Sequence, residues 1–312
     1  MGKVQQLRRR IKSVRNTRQI TKTMEMVSAS KLKRAQDRVV AARPFAEMLQ
    51  AVIGALDVDP GEIEHPLLRR APEPRTAAVF LFTSNRGLAG AFNFNLVKRA
   101  LALKAELEGQ GLAVRLHVAG RKGATALRYR GVVPENLWTD LSDRPSFEEA
   151  DRVAPVVIQA FTSGEADEVW LVFSRFNSPV DTPPWVERIL PVGAEVGGRA
   201  GEAARGEARP AGRGGASQEE RGEGVRPIYL LTPSPEEIFT QLLPLYIRNA
   251  VYHALTESAA GEHGARRTAM KNATDNASDL VDALNRTYNR ARQAQITQEL
   301  AELMGGSEAL KS

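Results

Sequence analysis

Two stretches, one near each end of the chain, contain neither glycine nor proline: residues 3–43 and 265–304. Nothing in either stretch breaks helical hydrogen bonding. At about 1.5 Å per residue each would run roughly 60 Å as a helix. Helices of ordinary globular domains usually stop after about three or four turns. The chain is therefore built around two unusually long helices, and the remaining sequence has to fit between them.

The first stretch has a heptad-like seam. Val4, Leu7, Ile11 and Val14 recur at alternating spacings of 3 and 4, as do Leu32, Ala35, Val39, Ala42, Ala46, Leu49, Ile53 and Leu56. Such spacing favours a left-handed coiled coil. Between the two runs the same phase carries Arg18, Thr21, Glu25 and Ser28, while Ile20, Met24 and Val27 continue it one residue out of step. A seam that breaks register midway is expected to have local defects or to change partner there. Pro44 is expected to bend the helix or weaken its hydrogen bonding.

The second long helix opens at Ser234-Pro235-Glu236-Glu237, with an N-cap serine, proline at the first helical position and glutamate three residues after the cap. Leu242, Leu245, Leu280 and Leu284 mark its apolar side. Ala269, Ala273, Ala277, Ala291 and Ala294 give that side small residues that allow close approach. Pro244, Gly261 and Gly264 are expected to weaken the first half, and Gly305-Gly306 to end the helix.

Between the ends the pattern changes. Apolar runs at 77–83, 113–119 and 168–173 read as strands, as do 185–190 and 227–231. Helical patterns at 95–108, 123–129 and 146–161 separate them. Strands alternating with helices indicate a parallel or mixed α/β sheet. Residues 193–226 stand apart: ten of these 34 are Gly, six Glu and six Arg, with no aromatic residue. Such a segment cannot bury enough apolar surface to offset its ordering entropy, and reads as a mobile loop inserted in the α/β domain. The fold class expected is therefore α/β plus long α-helical coiled coil. Residues 1–57 form the N-terminal helix, 75–231 a Rossmann-like α/β domain, and 234–304 the C-terminal helix.

Charge narrows the partners. Residues 1–43 hold thirteen Lys and Arg against Glu25 and Asp37, a local +11 in a chain of net +6. A basic arm of this kind attracts nucleic acid, anionic lipid or an acidic protein. It is interleaved with almost no aromatic residues and shows no nucleic-acid-binding module. No run of about 18 apolar residues is present to span a membrane. The opening Met-Gly-Lys-Val-Gln-Gln-Leu-Arg-Arg-Arg has no apolar signal core and passes straight into a helical pattern, so neither a secretory signal nor a transit peptide is expected in it.

A search for chemistry finds none. With no cysteine, thiolate metal sites, disulfides and cysteine nucleophiles are excluded. The four histidines, His65, His117, His253 and His263, form no H-x-x-x-H pair. Asp275 and Asp279 share a helix face, as a solvated or partner-facing edge. No G-x-S-x-G occurs. The loop Thr83-Ser84-Asn85-Arg86-Gly87-Leu88-Ala89-Gly90-Ala91-Phe92-Asn93 follows a strand and precedes a helix, where phosphate loops lie. It matches neither G-x-G-x-x-G nor G-x-x-x-x-G-K-[ST], so its glycines read as a tight strand-to-helix turn. The alternative of a small-molecule enzyme built on the α/β domain has only this loop to stand on.

The ends of the chain resemble a known family. Residues 19–34, QITKTMEMVSASKLKR, and 266–300, RRTAMKNATDNASDLVDALNRTYNRARQAQITQEL, resemble the terminal helices of F-type ATP synthase gamma subunits. The loop at 84–93 resembles the segment S-D-R-G-L-C-G-x-F-N of that family, with Asn85 where an acid is usual. Residues 193–226 depart from it. The resemblance implies an antiparallel coil of N- and C-terminal helices, with the α/β domain beside its base. It also implies a central rotor shaft that transmits torque between the membrane c-ring and the catalytic ring, coupling ion flow (hydrogen ion transport) to ATP synthesis or hydrolysis. The chain would be a non-catalytic subunit of that enzyme, with no cofactor, metal or catalytic residue of its own. Implied partners are the alpha and beta subunits, the epsilon subunit and the c-ring, with no nucleic acid or small-molecule substrate. The implied location is peripheral, at the cytoplasmic face of the bacterial plasma membrane. By motif position, Arg266, Gln293 and Thr297 match residues that bond catch loops of the catalytic ring, and Met24 and Glu25 lie where the shaft passes acidic lever loops. The basic residues Arg8–Lys12 and Lys31–Arg34 suit attraction to such loops.

Overall fold

The structure, a computed structural model, describes residues 2–55, 65–192 and 235–309. In chain order it contains α1 (Gly2–Ala55), a 3-10 turn (Pro66–Leu68), β1 (Thr76–Phe82), α2 (Phe92–Gly109), β2 (Ala113–Ala119), α3 (Arg121–Tyr129), β3 (Asn136–Trp138), α4 (Phe147–Thr162), β4 (Glu168–Ser174), β5 (Pro184–Leu190) and α5 (Pro235–Ala309). The expected insert at 193–226, the strand at 227–231, the cap at Ser234 and Leu56 lie outside the described residues, as do the side chains of Ala46, Leu49 and Ile53. The described chain forms two compact units. One comprises residues 1–33, 88–90 and 263–312; the other comprises 34–87 and 91–262.

The larger unit is a five-stranded sheet in the order β3-β2-β1-β4-β5. β1 pairs in parallel with both β2 and β4, β2 in parallel with β3, and β5 runs antiparallel to β4. β1 is the centre, and its residues from Ala77 to Phe82 are all buried. A strand covered on both faces needs no alternation, which is why this run is continuously apolar. Ala78, Phe80 and Phe82 of β1 join Leu171 and Phe173 of β4 in a core with Ala150, Val153 and Val157 of α4 and Leu243, Ile247 and Val251 of α5. The opposite face, carrying Val79, Leu81 and Val118, packs under α2 and α3. α4 begins with a capping box: Ser146 accepts from the Glu149 backbone N–H, and Glu149 reaches back to the Ser146 N–H. β3 has no counterpart in the sequence reading, because three residues give no usable periodicity.

The two long helices run on through the positions expected to weaken them, and α5 runs past the pair expected to end it. α1 continues past position 44. α5 continues through Pro244, Gly261 and Gly264, and past the glycine pair at 305 and 306. Around Pro244 the helix buries Leu243, Tyr246 and Ile247; that apolar contact outweighs one missing backbone hydrogen bond. These three residues form the buried side there, whereas Leu242 and Leu245 are only half-buried. Glycine lowers helix propensity by about 1 kcal/mol without forbidding the helix, so the pair near the end does not stop it.

In the smaller unit α1 and α5 form an antiparallel coil. Leu7 and Ile11 cluster with Leu284, flanked by Val14, Tyr288 and Ala291, and Thr274 Oγ1 lies 2.8 Å from Thr21 Oγ1. Residue numbers rise along one helix as they fall along the other. Stepping equally from Thr21 and Thr274 brings Val14 level with Val281, Ile11 with Leu284, Leu7 with Tyr288 and Val4 with Ala291.

This register overturns the expected break in the seam. Thr21 and Ser28 are buried, whereas Ile20 and Val27 are 60% and 51% exposed. One residue turns a helix by about 100°, so an apolar side chain one step out of phase cannot reach the partner. The heptad is kept, and polar residues fill it. Leu280 is likewise exposed, and so is Ala294, while Ala277 and Val281 are buried.

Candidate functional site

In open α/β sheets, ligands bind outside the carboxyl ends of the strands where the chain reverses direction across the sheet. Here that point lies between β1 and β4, and α5 covers its β4 side. Next to it, at the ends of β1 and β2, the first amides of α3 are also of the kind that can cradle a phosphate, and they are taken up within the chain. Arg121 N donates to Asn85 Oδ1 (2.9 Å), Lys122 N to the Ser84 carbonyl (3.0 Å) and Gly123 N to Thr83 Oγ1 (3.0 Å). Thr83 Oγ1 in turn donates to the Ala119 carbonyl at 3.0 Å. A Cβ at Gly120 would stand 2.2 Å from the Thr83 carbonyl oxygen, and one at Gly123 would stand 2.5 Å from Thr83 Oγ1. These glycines let the strand end and the helix touch; they do not leave room for a ligand. Ser84 and Asn93 complete the closure, with Ser84 N donating to Asn93 Oδ1 at 3.0 Å and Asn93 Nδ2 to Ser84 Oγ at 2.8 Å.

On the β4 side, α5 lies across the strand end. Ser174 N donates to Ser258 Oγ (3.2 Å) and Phe176 N to Glu257 Oε2 (2.5 Å). A Cβ at Gly261 would come 2.5 Å from Ser174 Oγ. Glu257 is buried, with His253 Nε2 3.4 Å from its other oxygen. Burial raises the Glu187 carboxyl above the usual carboxylate range, offset in part by His253 and Arg175. Burial also pushes the Tyr246 hydroxyl up to about 12, with Glu187 adding to the shift. Glu257 is engaged with backbone and with His253, so it holds the helix to the sheet.

His65 and His117 serve local structure and packing. His65 Nδ1 accepts from Leu67 N (3.2 Å) and starts the 3-10 turn. His117 stacks on Phe80 at 4.4 Å, with the Asn136 amide 3.0 Å from its Nδ1. Burial, helped by Arg115, lowers its pKa to about 4, so it is neutral in the core. Among the described residues no three His, Cys, Asp or Glu are grouped to hold a metal ion. Asp275 and Asp279 are exposed.

The expected partner-facing residues all lie in the coil unit, at two levels. Glu25 falls level with Met270 and accepts from Lys22 Nζ at 3.2 Å; Met24 beside it is half-buried. Arg266, one turn from Met270, is 8% exposed, which departs from an ordinary solvated helix position. Gln293 and Thr297 are exposed and one turn apart, with Thr297 Oγ1 donating to the Gln293 carbonyl at 3.0 Å. The twenty-seven positions from Arg266 to Gln293 put roughly 40 Å of helix between the two groups.

Comparison with known proteins matches this arrangement. A family model described as ATP synthase matches residues 3–310. An ATP synthase gamma chain of Gemmatimonas aurantiaca is 47% identical over 311 residues, covering all of both chains. The chain belongs to the ATP synthase gamma chain family. A gamma chain of Pelotomaculum thermopropionicum is 40% identical over 311 residues, again covering both chains fully. Solved structures share the fold. The rotor of Euglena gracilis mitochondrial ATP synthase gives a TM-score of 0.66 at 19% identity, covering 95% of this chain and 99% of that one. The central stalk and c-ring assembly of Tetrahymena thermophila mitochondrial ATP synthase gives 0.57 at 23%, covering 81% and 99%.

Membership of this family makes the loop at 84–93 intelligible as structure. Asn85 donates from Nδ2 to the Leu141 carbonyl at 2.8 Å while its Oδ1 accepts from Arg121 N. A carboxylate could accept but not donate, so asparagine suits this position in this chain. Leu88 in the same loop holds a φ of 63° with its side chain exposed. No rule of composition would have singled out Leu88, or shown that Thr83 closes the cradle.

Proposed function

We propose that this chain is the central rotor shaft of an F-type ATP synthase. It carries torque between a membrane c-ring and a ring of alpha and beta subunits, coupling hydrogen ion flow to ATP synthesis or hydrolysis. The observation that supports this best is the coil. Gly2, the first described residue of α1, falls level with Gln293, and α5 continues past it to Ala309. On that extension Ile296, Leu300, Leu303 and Met304 are 43–71% exposed. An apolar helix end of this kind suits the inside of a protein ring, with Gln293 and Thr297 at its threshold. Names of relatives and titles of solved neighbours agree: gamma chains, a rotor, a central stalk on a c-ring, an F1 assembly.

The division of labour follows from energetics. One elementary charge crossing 100 mV releases about 2.3 kcal/mol, so several ion steps are pooled for each ATP. A stiff shaft accumulates them. Because one asymmetric coil touches like sites differently, it gives each a different contact free energy and hence a different conformation. Reacting residues then belong to the beta subunits, and this chain contributes Met24, Glu25, Arg266, Gln293 and Thr297 as contacts. We assign 1–57 and 234–304 to the shaft and 75–231 to an α/β domain that holds the epsilon subunit. The location is peripheral, at the cytoplasmic face of the plasma membrane. Among the described residues no helix is long and apolar enough to cross a membrane.

Mixing the chain with alpha and beta subunits tests the reading. ATPase-active complexes should contain one copy per three alpha–beta pairs. The double substitution Gln293→Ala, Thr297→Ala should lower their turnover several-fold, at about 0.5–1.5 kcal/mol for each hydrogen bond lost. Complexes that are equally active without the chain, or that hold it in equal number to beta, would overturn it.

A further inference from the structure

The sheet edge at β3 carries a second surface, wholly on the α/β unit. Residues 109–134 contain five Lys and Arg and no Asp or Glu. Arg115 is spent on Glu135 and Glu165, at 3.4 and 3.1 Å. The other four, Arg121, Lys122, Arg128 and Arg130, are exposed on α3 and its C-terminal cap. Large apolar side chains stand among them: Tyr129 is 92% exposed, Val133 79%, Phe94 56% and Leu137 40%.

These residues form one surface. The Arg130 guanidinium lies 5.9 Å from the Phe94 ring, tying the end of α3 to the start of α2. Leu137 pairs with Val118 in the β2–β3 register and so projects from the face that α2 and α3 cover. Val133 sits in the short link between α3 and β3. Among the described residues β3 pairs only with β2, so its outer N–H and C=O groups form a strand edge of three residues.

We propose that this surface docks an acidic, apolar-bearing segment of a partner protein, whose backbone extends the sheet at β3. An open strand edge accepts a peptide by backbone pairing, and the flanking side chains set specificity. Exposed Tyr and Arg are the residue types that dominate binding energy at protein interfaces. Four cations with no acid among them favour an acidic partner. A lipid headgroup or a nucleic acid would answer the charge but would leave the strand edge and the apolar residues beside it unmatched. The inference rests on the rotor reading only in naming the assembled synthase as the place to look.

The chain has no cysteine, so Tyr129→Cys and Val133→Cys each introduce a single reporter thiol. Maleimide labelling is timed on the isolated chain and on the ATPase-active synthase assembled with it, and Gln110→Cys at the other end of α2 reports general crowding. Both reporters should label at least about tenfold more slowly in the complex, the protection of a thiol covered nine times in ten. A photo-crosslinker on the same thiols should join an acidic peptide of a partner subunit. Adding Arg128→Glu and Arg130→Glu should erase most of the protection. An active complex whose thiols label at the isolated-chain rate, or crosslink only to lipid or nucleic acid, overturns the docking surface and leaves the rotor reading standing. A chain that never enters the complex overturns both.

Discussion

Replacing Gly261 by alanine puts a methyl group where there is no room. An ideal Cβ lies 2.5 Å from Ser174 Oγ, 3.0 Å from Ser174 Cβ and 3.3 Å from Phe92 Cε2. Ser174 is not at liberty to move. Its Oγ donates to the Thr182 carbonyl at 3.1 Å, and its backbone N donates to Ser258 Oγ at 3.2 Å, one turn before Gly261 on the same helix. Rotating the hydroxyl relieves the first contact and leaves the second, so helix and strand must part by several tenths of an ångström. Overpacking of this kind costs about 1–3 kcal/mol. Alanine in a helix regains about 1 kcal/mol over glycine. The net expectation is a loss of about 0–2 kcal/mol, with the coupling to position 174 as the sharper reading. Urea unfolding followed by tryptophan fluorescence reads it directly, because Trp138, Trp170 and Trp185 all lie in the α/β unit. Ser174→Gly in the Gly261→Ala background removes both clashing atoms. The double-mutant cycle should then show a coupling of about 1 kcal/mol or more. An alanine protein as stable as the parent, with no coupling to position 174, would refute the claim that α5 closes the sheet end by direct contact.

Asn85→Asp keeps the acceptor for Arg121 N and gains up to about 1 kcal/mol from the start of α3, but strips the Leu141 carbonyl of its donor at about 1–3 kcal/mol. The urea midpoint should fall at pH 7 and partly recover below about pH 4, where the acid can donate. His117 has its pKa lowered from 6.5 to about 4 by burial. The unfolded chain takes up this proton near 6.5 and the folded chain does not. Stability should therefore decline as pH drops from about 6.5 to about 4, by up to about 3 kcal/mol, with no further loss from this group below that. His117→Phe should flatten that slope in a pH series of unfolding curves. In the coil, Thr21→Ala should cost about 1 kcal/mol, whereas the double change Thr21→Val, Thr274→Val should be neutral or stabilising, since neither helix is left with half of a buried pair. Helix melting by circular dichroism separates these outcomes, and a double mutant worse than the single would contradict the pairing.

Much of this was readable from the chain alone. The strands at 113–119 and 168–173, the helix at 146–161 and the two long helices each rest on local pattern, and local pattern survives folding. What local pattern left open involved competition between local and distant terms. Pro244 and the glycines of α5 weaken a helix locally, yet burial of Leu243, Tyr246 and Ile247 holds it. β3 is too short to have a period, and exists because β2 offers it an edge.

What the sequence by itself determined was the class: two long helices, and an alternating α/β segment between them. Periodicity and residue type settle those points without reference to any partner strand or helix. What only the tertiary structure decided was which face is used. Ile20 and Val27 look like seam residues and point outward, while Thr21 and Ser28 look like surface and lie buried. The cradle at the start of α3 likewise looks open in sequence and is closed by Thr83, Ser84 and Asn85. In both cases the deciding term is geometric fit between elements far apart in the chain, and a side chain's own hydrophobicity carries no record of that.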